Sequence, residues 1–231
     1  HYSEAVEAAG GAPVHVSLIP DPDYIAAIAQ QLHGVLLPGS DSDVDPLRYG
    51  HEPHRALGSV HKIKDETDLL VLAEIERRGL PLFAICFGMQ ILNVFRGGTL
   101  IQDIASQIPG AIKHEQGRPR DRPSHRVKLV HGSLLSSLAG DDSAIVNSHH
   151  HQAVETVGRE LVATAWTSDG LIEALEETRS DRFTLAVQWH PELGWKNDSL
   201  SQSLFRRFVS EARQYSGSRE RIYQKTEKEG N

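Results

Sequence analysis

Short apolar runs alternate with amphipathic stretches along this chain. The runs predict strands at Val14–Ile19, Val35–Leu37, Leu82–Ile85, Val127–Val130, Ala144–Val146, Leu161–Ala165, Ile172–Leu175 and Thr184–Val187. Helical patterns are predicted at Ser3–Ala9, Tyr24–Leu32, Lys64–Arg78, Gly88–Phe95 and Leu200–Tyr215, and we expect Gly79 to end the third of them. This alternation predicts an α/β fold, with helices on both faces of a mainly parallel sheet.

Four segments depart from the regular alternation. Ser168, Asp169 and Gly170 separate two neighbouring strands, which favours a small antiparallel hairpin. The pattern begins with a helix, so we expect that the first strand of the sheet is missing from this chain. Residues 109–125 are rich in Pro, Gly and charge and predict a mobile surface loop. Residues 216–231 predict a polar tail that follows a single domain over residues 1–215, although residues 219–228 could extend the last helix.

Composition narrows the class of protein. The chain has 231 residues, of which 39% are hydrophobic, enough for one substantial core. A formal net charge of -7 argues against nonspecific nucleic-acid binding, which needs a basic surface. No apolar run approaches the roughly 18 residues that span a bilayer, and the start shows no signal-peptide pattern. One cysteine cannot form an internal disulfide, so we expect a cytoplasmic protein. Because no apolar run is long enough, we expect no membrane partner.

The single cysteine ends an apolar strand and precedes a helical pattern. The segment Pro81–Gln90 reads PLFAICFGMQ, with the small residues Ala84 and Gly88 two positions to either side of Cys86. A sharp strand-to-helix turn of this kind exposes a nucleophile above the sheet edge, and the helix N-terminus favours thiolate over thiol. For this segment alone, a buried structural cysteine is the alternative.

A cysteine nucleophile needs a base and an orienting group, and the segment Val187–Glu192 offers both. A strand ends at His190, and we expect Pro191 to keep Glu192 out of a helix. Glu192 can then hold one imidazole nitrogen while the other faces the thiol. Taken alone, the tripeptide His190-Pro191-Glu192 is better explained as a solvated turn. Together with the cysteine turn, it favours a Cys86–His190–Glu192 triad.

Acyl transfer also needs backbone N–H donors for the developing oxyanion. Phe87 directly follows the nucleophile and can supply one donor. Gly39 lies in the Pro-Gly turn after the strand at 35–37 and can supply another, although an ordinary strand-ending turn explains that segment more simply.

Three consecutive histidines stand within the segment Asn147–Ala153. Their side chains should project in different directions, and no cysteine or carboxylate stands at ligand spacing, so we predict no metal site and no cofactor. Polar groups at a strand end are better placed to hold the charged amino-acid end of a substrate, and His149 is assigned to that role.

Taken in order, these motifs resemble the class I glutamine amidotransferases, and more narrowly their γ-glutamyl-γ-aminobutyrate hydrolase branch. The matching elements, spread from Tyr2 to about Tyr215, are Pro38-Gly39, Ile85–Gln90, Gly97–Leu100, Asn147–Ala153 and Gln188–Glu192. The resemblance implies a flavodoxin-like, doubly wound sheet and a triad in which Cys86 forms a γ-glutamyl thioester. It implies that Gly39 and Phe87 form the oxyanion hole and that Gln90 and Ser148 lie near the glutamyl moiety. Polyamine catabolism is the usual setting of the branch.

Two residues depart from that branch. Phe87 stands where arginine is frequent, and we expect its side chain at the rim of the site, where it can change which amine is accepted. His149 stands where an apolar residue is more usual. The expected activity is hydrolysis of a γ-glutamyl amide, a small-molecule substrate; a homodimer is left open.

Two other functions remain open at this point. The first is a glutaminase subunit that delivers ammonia to a synthase partner, which shares the triad. The second is a non-catalytic binding protein on the same fold, which the intact Cys86, His190 and Glu192 disfavour.

Overall fold

The structure is a computed structural model that describes the backbone of residues 1–229 and the side chains of residues 1–218. Its helices are α1 (Tyr2–Ala8), α2 (Pro22–Ala29), α3 (Lys62–Arg78), α4 (Phe87–Phe95), α5 (Ile104–Gln107), α6 (Leu134–Ala139), α7 (Pro191–Gly194) and α8 (Ser199–Glu229), with a 3-10 turn at Pro46–Tyr49. Its strands are β1 (Val35–Leu37), β2 (Leu82–Ile85), β3 (Leu100–Ile101), β4 (His125–Leu129), β5 (Ser143–Val146), β6 (Ala153–Val154), β7 (Leu161–Trp166), β8 (Ile172–Glu177) and β9 (Thr184–Val187).

The strands form one mixed sheet in the order β1-β2-β9-β8-β7-β4-β5, with the short β6 pairing with both β8 and β3. β1, β2 and β9 run parallel, and the other pairings are antiparallel. The α/β class and the β7–β8 hairpin are confirmed. The antiparallel part is larger than the single hairpin expected from the sequence, because β4, β5, β3 and β6 extend it, so the sheet is mixed rather than mainly parallel.

The core has two apolar layers, one on each face of strand β2. Leu82 and Ala84 point into the layer formed with α3 and α4. Phe83 and Ile85 point into the opposite layer, where the ring of Phe83 lies 5.4 Å from that of Phe205 in α8. A strand buried on both faces needs an uninterrupted apolar sequence, which is how β2 could be recognised before the structure.

Two of the local predictions are wrong. Val14–Ile19 is not a strand but an unpaired segment with Val14 66% exposed, because its alternating apolar residues find no neighbouring strand. A cavity of about 900 Å³ is lined both by this segment and by β1. Glu192 does enter a helix, since Pro191 occupies the first position of α7, where a proline is favoured.

The loop at 109–125 is irregular, as predicted, up to the start of β4. Its composition predicted a mobile loop, but two of its side chains, His114 and Gln116, are buried and anchor it to the rest of the protein. The Gln116 side chain accepts hydrogen bonds from the Ser148 N–H at 2.8 Å and from the Ser124 hydroxyl at 2.5 Å.

The end of α3 follows the sequence prediction: Gly79 adopts the left-handed conformation, φ 69°, that stops the helix. The last helix, α8, continues to Glu229, so residues 216–229 are helical, while residues 230–231 lie outside the described part of the chain. The division into a domain over residues 1–215 and a polar tail stays a prediction, as does the absence of a first strand. Among the described residues, no helix has both the length and the apolar character needed to cross a membrane.

Candidate active site

Cys86 lies at a sharp turn between β2 and α4. Its φ of 52° and ψ of -107° form a backbone conformation that non-glycine residues rarely adopt. Such conformations cost of the order of 1–3 kcal/mol and persist where the surrounding structure enforces them. Gly88 permits the turn because it has no side chain. A β-carbon at this position would overlap the carbonyl oxygen of Leu37 in β1. The predicted strand-to-helix turn is therefore present.

His190 and Glu192 are joined as the sequence suggested. The His190 Nδ1 atom lies 2.7 Å from the Glu192 Oε1 atom, and both side chains are buried. The Asn147 amide holds the backbone of the same histidine on both sides: its Nδ2 donates to the His190 carbonyl at 2.7 Å, and its Oδ1 accepts from the His190 N–H at 2.8 Å. The imidazole therefore has a fixed position and a carboxylate on one nitrogen.

The charge state of His190 is set by the neighbouring sulfur and carboxylate. Burial alone would lower the pKa of His190, and it is the largest single influence. The negative charge and hydrogen bond of Cys86, together with those of Glu192, overcome it and raise the pKa of His190 to about 10. At neutral pH His190 is therefore protonated and can act as a proton donor beside the cysteine sulfur.

Gly39 lies against Cys86 and His190, two members of the candidate triad. A β-carbon placed on it would lie 2.7 Å from His190 Cε1 and 3.5 Å from Cys86 Cβ. Its N–H donates to the Tyr2 hydroxyl at 3.0 Å. Burial first, and then the charge of Glu192, raise the pKa of Tyr2 far above its ordinary value, so this hydroxyl stays protonated. Sequence reasoning gave Tyr2 no role, because a tyrosine at the start of a helix has no local signature.

The expectation for the Phe87 side chain is wrong. The side chain does not lie at the rim; it is 1% exposed and belongs to the core layer between the sheet and α3. The Lys64 Nζ atom lies 4.4 Å from the centre of the ring. The first residue of α4 points inward because the helix packs tightly on β1 at Gly88. As that first residue, Phe87 contributes one of the backbone N–H groups that an α-helix leaves without an internal partner.

The three residues assigned to substrate occupy different surroundings. Gln90 is buried, and its amide donates to the Gln152 carbonyl and to the Gln188 side chain, each at 3.3 Å. The hydroxyl of Ser148, fully buried, donates to the His114 carbonyl at 2.6 Å. His149 is half-buried, and its ring centre lies 5.9 Å from that of His190.

His149 is therefore the residue of the three with a ring contact to the candidate triad. Burial holds the pKa of His149 below its ordinary value, so the ring is neutral at neutral pH. Gln90 and Ser148 bond to other parts of the protein here, and their role towards substrate stays a prediction.

Sequence reasoning also missed how the histidine segment is used. Asn147 was noted only as part of a motif, although its side chain clamps His190. The signal available was its position next to polar residues at the end of β5, but a side chain that bonds to backbone 43 positions away leaves no local pattern.

A second group of buried polar side chains could hold a metal. His114, His125 and Glu173 each offer a ligand atom, and these atoms lie within 4.8 Å of one another. None of the three is part of the candidate triad.

Known proteins resemble this chain in both sequence and structure. Residues 1–192 match the family described as Peptidase C26. The gamma-glutamyl-gamma-aminobutyrate hydrolase PuuD of Escherichia coli (strain K12) is 34% identical over 232 residues, covering 96% of this chain and 88% of PuuD. Protein NtpR of Enterococcus hirae is 36% identical over 211 residues, covering 91% of this chain and 87% of NtpR.

A solved structure gives the same fold. The glutaminase domain of Trypanosoma brucei CTPS, with bound acivicin, superposes with a TM-score of 0.64, covering 92% of this chain and 87% of that domain. Its sequence identity is only 14%, so the comparison supports the fold alone.

Proposed function

The chain belongs to the Peptidase C26 family and is a hydrolase of the glutamine amidotransferase-like type, and from that premise we propose that it cleaves a γ-glutamyl amide through a γ-glutamyl thioester on Cys86. The observation that carries the proposal is the arrangement of three buried groups. A cysteine held at a strained turn interacts with a histidine whose other ring nitrogen lies 2.7 Å from a carboxylate. This is the nucleophile, base and orienter that acyl transfer needs.

The first half of the reaction forms the thioester. The Cys86 thiolate attacks the γ-carbonyl carbon of the substrate, and negative charge develops on the carbonyl oxygen. The N–H groups of Gly39 and Phe87 are proposed to stabilise that oxygen. When the intermediate collapses, the C–N bond breaks, and the His190 imidazolium gives its proton to the leaving amine.

The second half releases glutamate. Water attacks the thioester carbonyl while the now neutral His190 accepts its proton. The C–S bond then breaks, glutamate leaves, and the sulfur returns to its starting state. Throughout, Glu192 stabilises the imidazolium and keeps the ring oriented, and Asn147 keeps the backbone of His190 in place.

Tyr2 bears on the first step because its hydroxyl accepts the Gly39 N–H at 3.0 Å. An N–H has one hydrogen to donate, so the substrate oxyanion must replace the tyrosine hydroxyl as its acceptor. The anionic oxyanion is the stronger acceptor, since hydrogen bonds to charged groups are roughly twice as strong as neutral ones. Binding of the reacting carbonyl is thus proposed to displace the Tyr2 hydroxyl from Gly39.

The amine that leaves is proposed to be γ-aminobutyrate or a similar amine. Support comes from relatives at 34% identity that are named gamma-glutamyl-gamma-aminobutyrate hydrolase. His149 is proposed to contact substrate, because it lies beside the catalytic ring and is neutral at neutral pH.

A panel of amides tests this function. The purified chain is incubated with γ-glutamyl-γ-aminobutyrate, glutamine and the α-glutamyl isomer of the first amide, and the release of glutamate is measured. We expect γ-glutamyl-γ-aminobutyrate to be hydrolysed fastest, the α-isomer to be inert, and Cys86→Ala to release no glutamate above background. Fastest hydrolysis of glutamine, or equal hydrolysis of the α-isomer, would contradict the proposed substrate class.

A further inference from the structure

A buried cluster of three histidines and one glutamate lies outside the candidate triad and has no part in the proposed reaction. His114 comes from the loop before β4, His125 begins β4, His150 lies between β5 and β6, and Glu173 lies in β8. The side chains of His114, His150 and Glu173 are 2%, 1% and 0% exposed. His125 is 4% exposed. Four separate segments of the chain thus bring ionisable groups to one place that water does not reach.

Several polar atoms of this cluster have no hydrogen-bond partner. Both carboxylate oxygens of Glu173 and the Nδ1 atom of His125 are buried and unpartnered. Burying a carboxylate without a compensating hydrogen bond or cation costs several kcal/mol. Buried charges in proteins are otherwise paired or coordinate metals. His150 Nε2 at 3.4 Å and His114 Nδ1 at 3.7 Å lie within ion-pair distance of Glu173 Oε1, but neither makes a hydrogen bond to it.

The three imidazoles are each held by one nitrogen. The Nε2–H of His114 donates to the Asp169 carboxylate at 2.9 Å. The Nε2–H of His125 donates to the Lys113 carbonyl at 2.7 Å. The Nδ1–H of His150 donates to the Gln152 carbonyl at 2.8 Å. A carbonyl or carboxylate oxygen can only accept, so these nitrogens carry the hydrogens. In a neutral imidazole the other nitrogen then has a free lone pair.

These hydrogen bonds resemble the outer shell of a metal site. Histidines that bind metals almost always donate their other N–H to a carboxylate or a backbone carbonyl, which fixes the tautomer and the ring orientation. All three histidines meet that requirement, each through a different acceptor.

The free nitrogens of His114 and His150 and one oxygen of Glu173 stand at ligand spacing. His114 Nδ1 lies 3.3 Å from His150 Nε2, which lies 3.4 Å from Glu173 Oε1, and His114 Nδ1 lies 3.7 Å from the same oxygen. Ligands about 2.0–2.1 Å from a tetrahedral zinc ion are roughly 3.4 Å apart. His125 supplies a fourth atom within 4.8 Å of the ligand atoms of His114 and Glu173.

We propose that His114, His125, His150 and Glu173 bind a divalent transition-metal ion, zinc in the first place. Zinc accepts imidazole nitrogen and carboxylate oxygen in a tetrahedral arrangement. The ion provides a positive charge beside Glu173. It also accepts the two nitrogen lone pairs of His114 and His150, which otherwise face and repel each other at 3.3 Å. With the second carboxylate, Asp169, its two positive charges are balanced.

A site with four protein ligands leaves no open position for substrate, so the metal has a structural role. It joins the irregular loop that carries His114 to β4, β8 and the segment at 147–152. That segment also provides the Asn147 clamp on His190. The metal would thus stabilise the segment at 147–152, which positions His190, without contacting the reacting atoms.

The first experiment measures metal in the untagged, full-length wild-type chain. After purification and dialysis, mass spectrometry of its metals should find about one zinc per chain. After a chelator removes the zinc, titration with Co²⁺ should give the intense visible absorption of tetrahedral cobalt, saturating at about one equivalent. Renewed zinc should abolish this absorption and raise the melting temperature of the stripped protein.

Matched variants identify the ligands. Glu173→Gln and His150→Gln should each weaken cobalt binding by more than about 10-fold, a loss that even outer-shell changes reach. His131→Gln is the control, because this histidine also pairs with an aspartate, Asp142 at 2.9 Å, but its side chain is 92% exposed. It should leave cobalt binding unchanged.

The proposal is overturned if wild-type protein binds no stoichiometric zinc or cobalt, since a proton shared between His114 and His150 would then account for their contact. It is also overturned if His131→Gln weakens binding as much as Glu173→Gln. Should Glu173→Gln fail to fold, the wild-type cobalt spectrum decides alone. None of these readouts requires turnover, so their outcome is separate from that of the proposed function.

Discussion

Replacing Gly39 with alanine probes how closely the turn after β1 approaches the imidazole of His190. The added β-carbon would lie 2.7 Å from His190 Cε1, about 0.7 Å short of the 3.4 Å at which ordinary van der Waals contact begins. Either the ring or the turn must move by that amount. Misplacing reacting groups by about 1 Å can cost about 100-fold in rate, so we expect kcat to fall roughly 10- to 100-fold.

The same substitution should cost about 1–3 kcal/mol of stability through the overlap with His190, and a smaller effect on the unfolded chain partly offsets that cost. Gly39 does not have a positive φ, so alanine introduces no backbone strain there, and it restricts the unfolded chain by about 0.4–1 kcal/mol. Steady-state hydrolysis of γ-glutamyl-γ-aminobutyrate and urea unfolding measure the two effects. The control is Gly194→Ala, in α7, where the new methyl group meets only Asp198 Cβ at 3.8 Å. Equal kcat values for the two variants would refute the close approach of Gly39 to His190.

Two further substitutions test the electrostatics and the packing of the site. Cys86 and, after it, Glu192 raise the pKa of His190 to about 10; Glu192→Gln removes the second of these negative charges, so the imidazolium should lose its proton at lower pH. The alkaline limb of kcat/KM against pH should therefore move to lower pH, and an unmoved limb would show that the carboxylate does not set the charge of the histidine. Gly88→Ala should destabilise the fold by about 1–3 kcal/mol in urea unfolding, because the β-carbon overlaps the Leu37 carbonyl. Helix propensity alone predicts a gain of about 1 kcal/mol, so a stabilised variant would contradict this packing.

The sequence predicted well the features that depend on local pattern. The apolar run of β2 and the small residues around Cys86 were sufficient to place the strand-to-helix turn. His190 and Glu192 are two residues apart, so their contact follows from any turn that lets both side chains face the same way.

Features that depend on distant parts of the chain could not be predicted. The alternation at Val14–Ile19 predicts a strand, but a strand exists only where a neighbour accepts its hydrogen bonds. The Phe87 side chain was expected at the rim, although the packing of α4 on β1 directs it into the core. Tyr2 and Asn147 reach the site over 37 and 43 positions of sequence and leave no motif.

The histidine cluster shows the same limit. The run of three consecutive histidines at 149–151 led to the prediction of no metal site, because no cysteine or carboxylate stands at ligand spacing in that segment. The proposed ligands are instead contributed one by one from four segments, and only His150 belongs to that run. The tautomers that would make these histidines ligands depend on one carboxylate and two carbonyl groups, whose positions are set by the fold.

The measurement that tests the central claim most directly is the detection of the covalent intermediate. Wild-type protein is mixed with γ-glutamyl-p-nitroanilide, whose good leaving group should let the thioester accumulate, and the reaction is stopped with acid. Mass spectrometry of the resulting peptides should find one added glutamyl group on Cys86, together with an initial burst of p-nitroaniline. Cys86→Ala should show neither the adduct nor the burst. Turnover of the anilide by Cys86→Ala, or a glutamyl group on any other residue, would contradict the account.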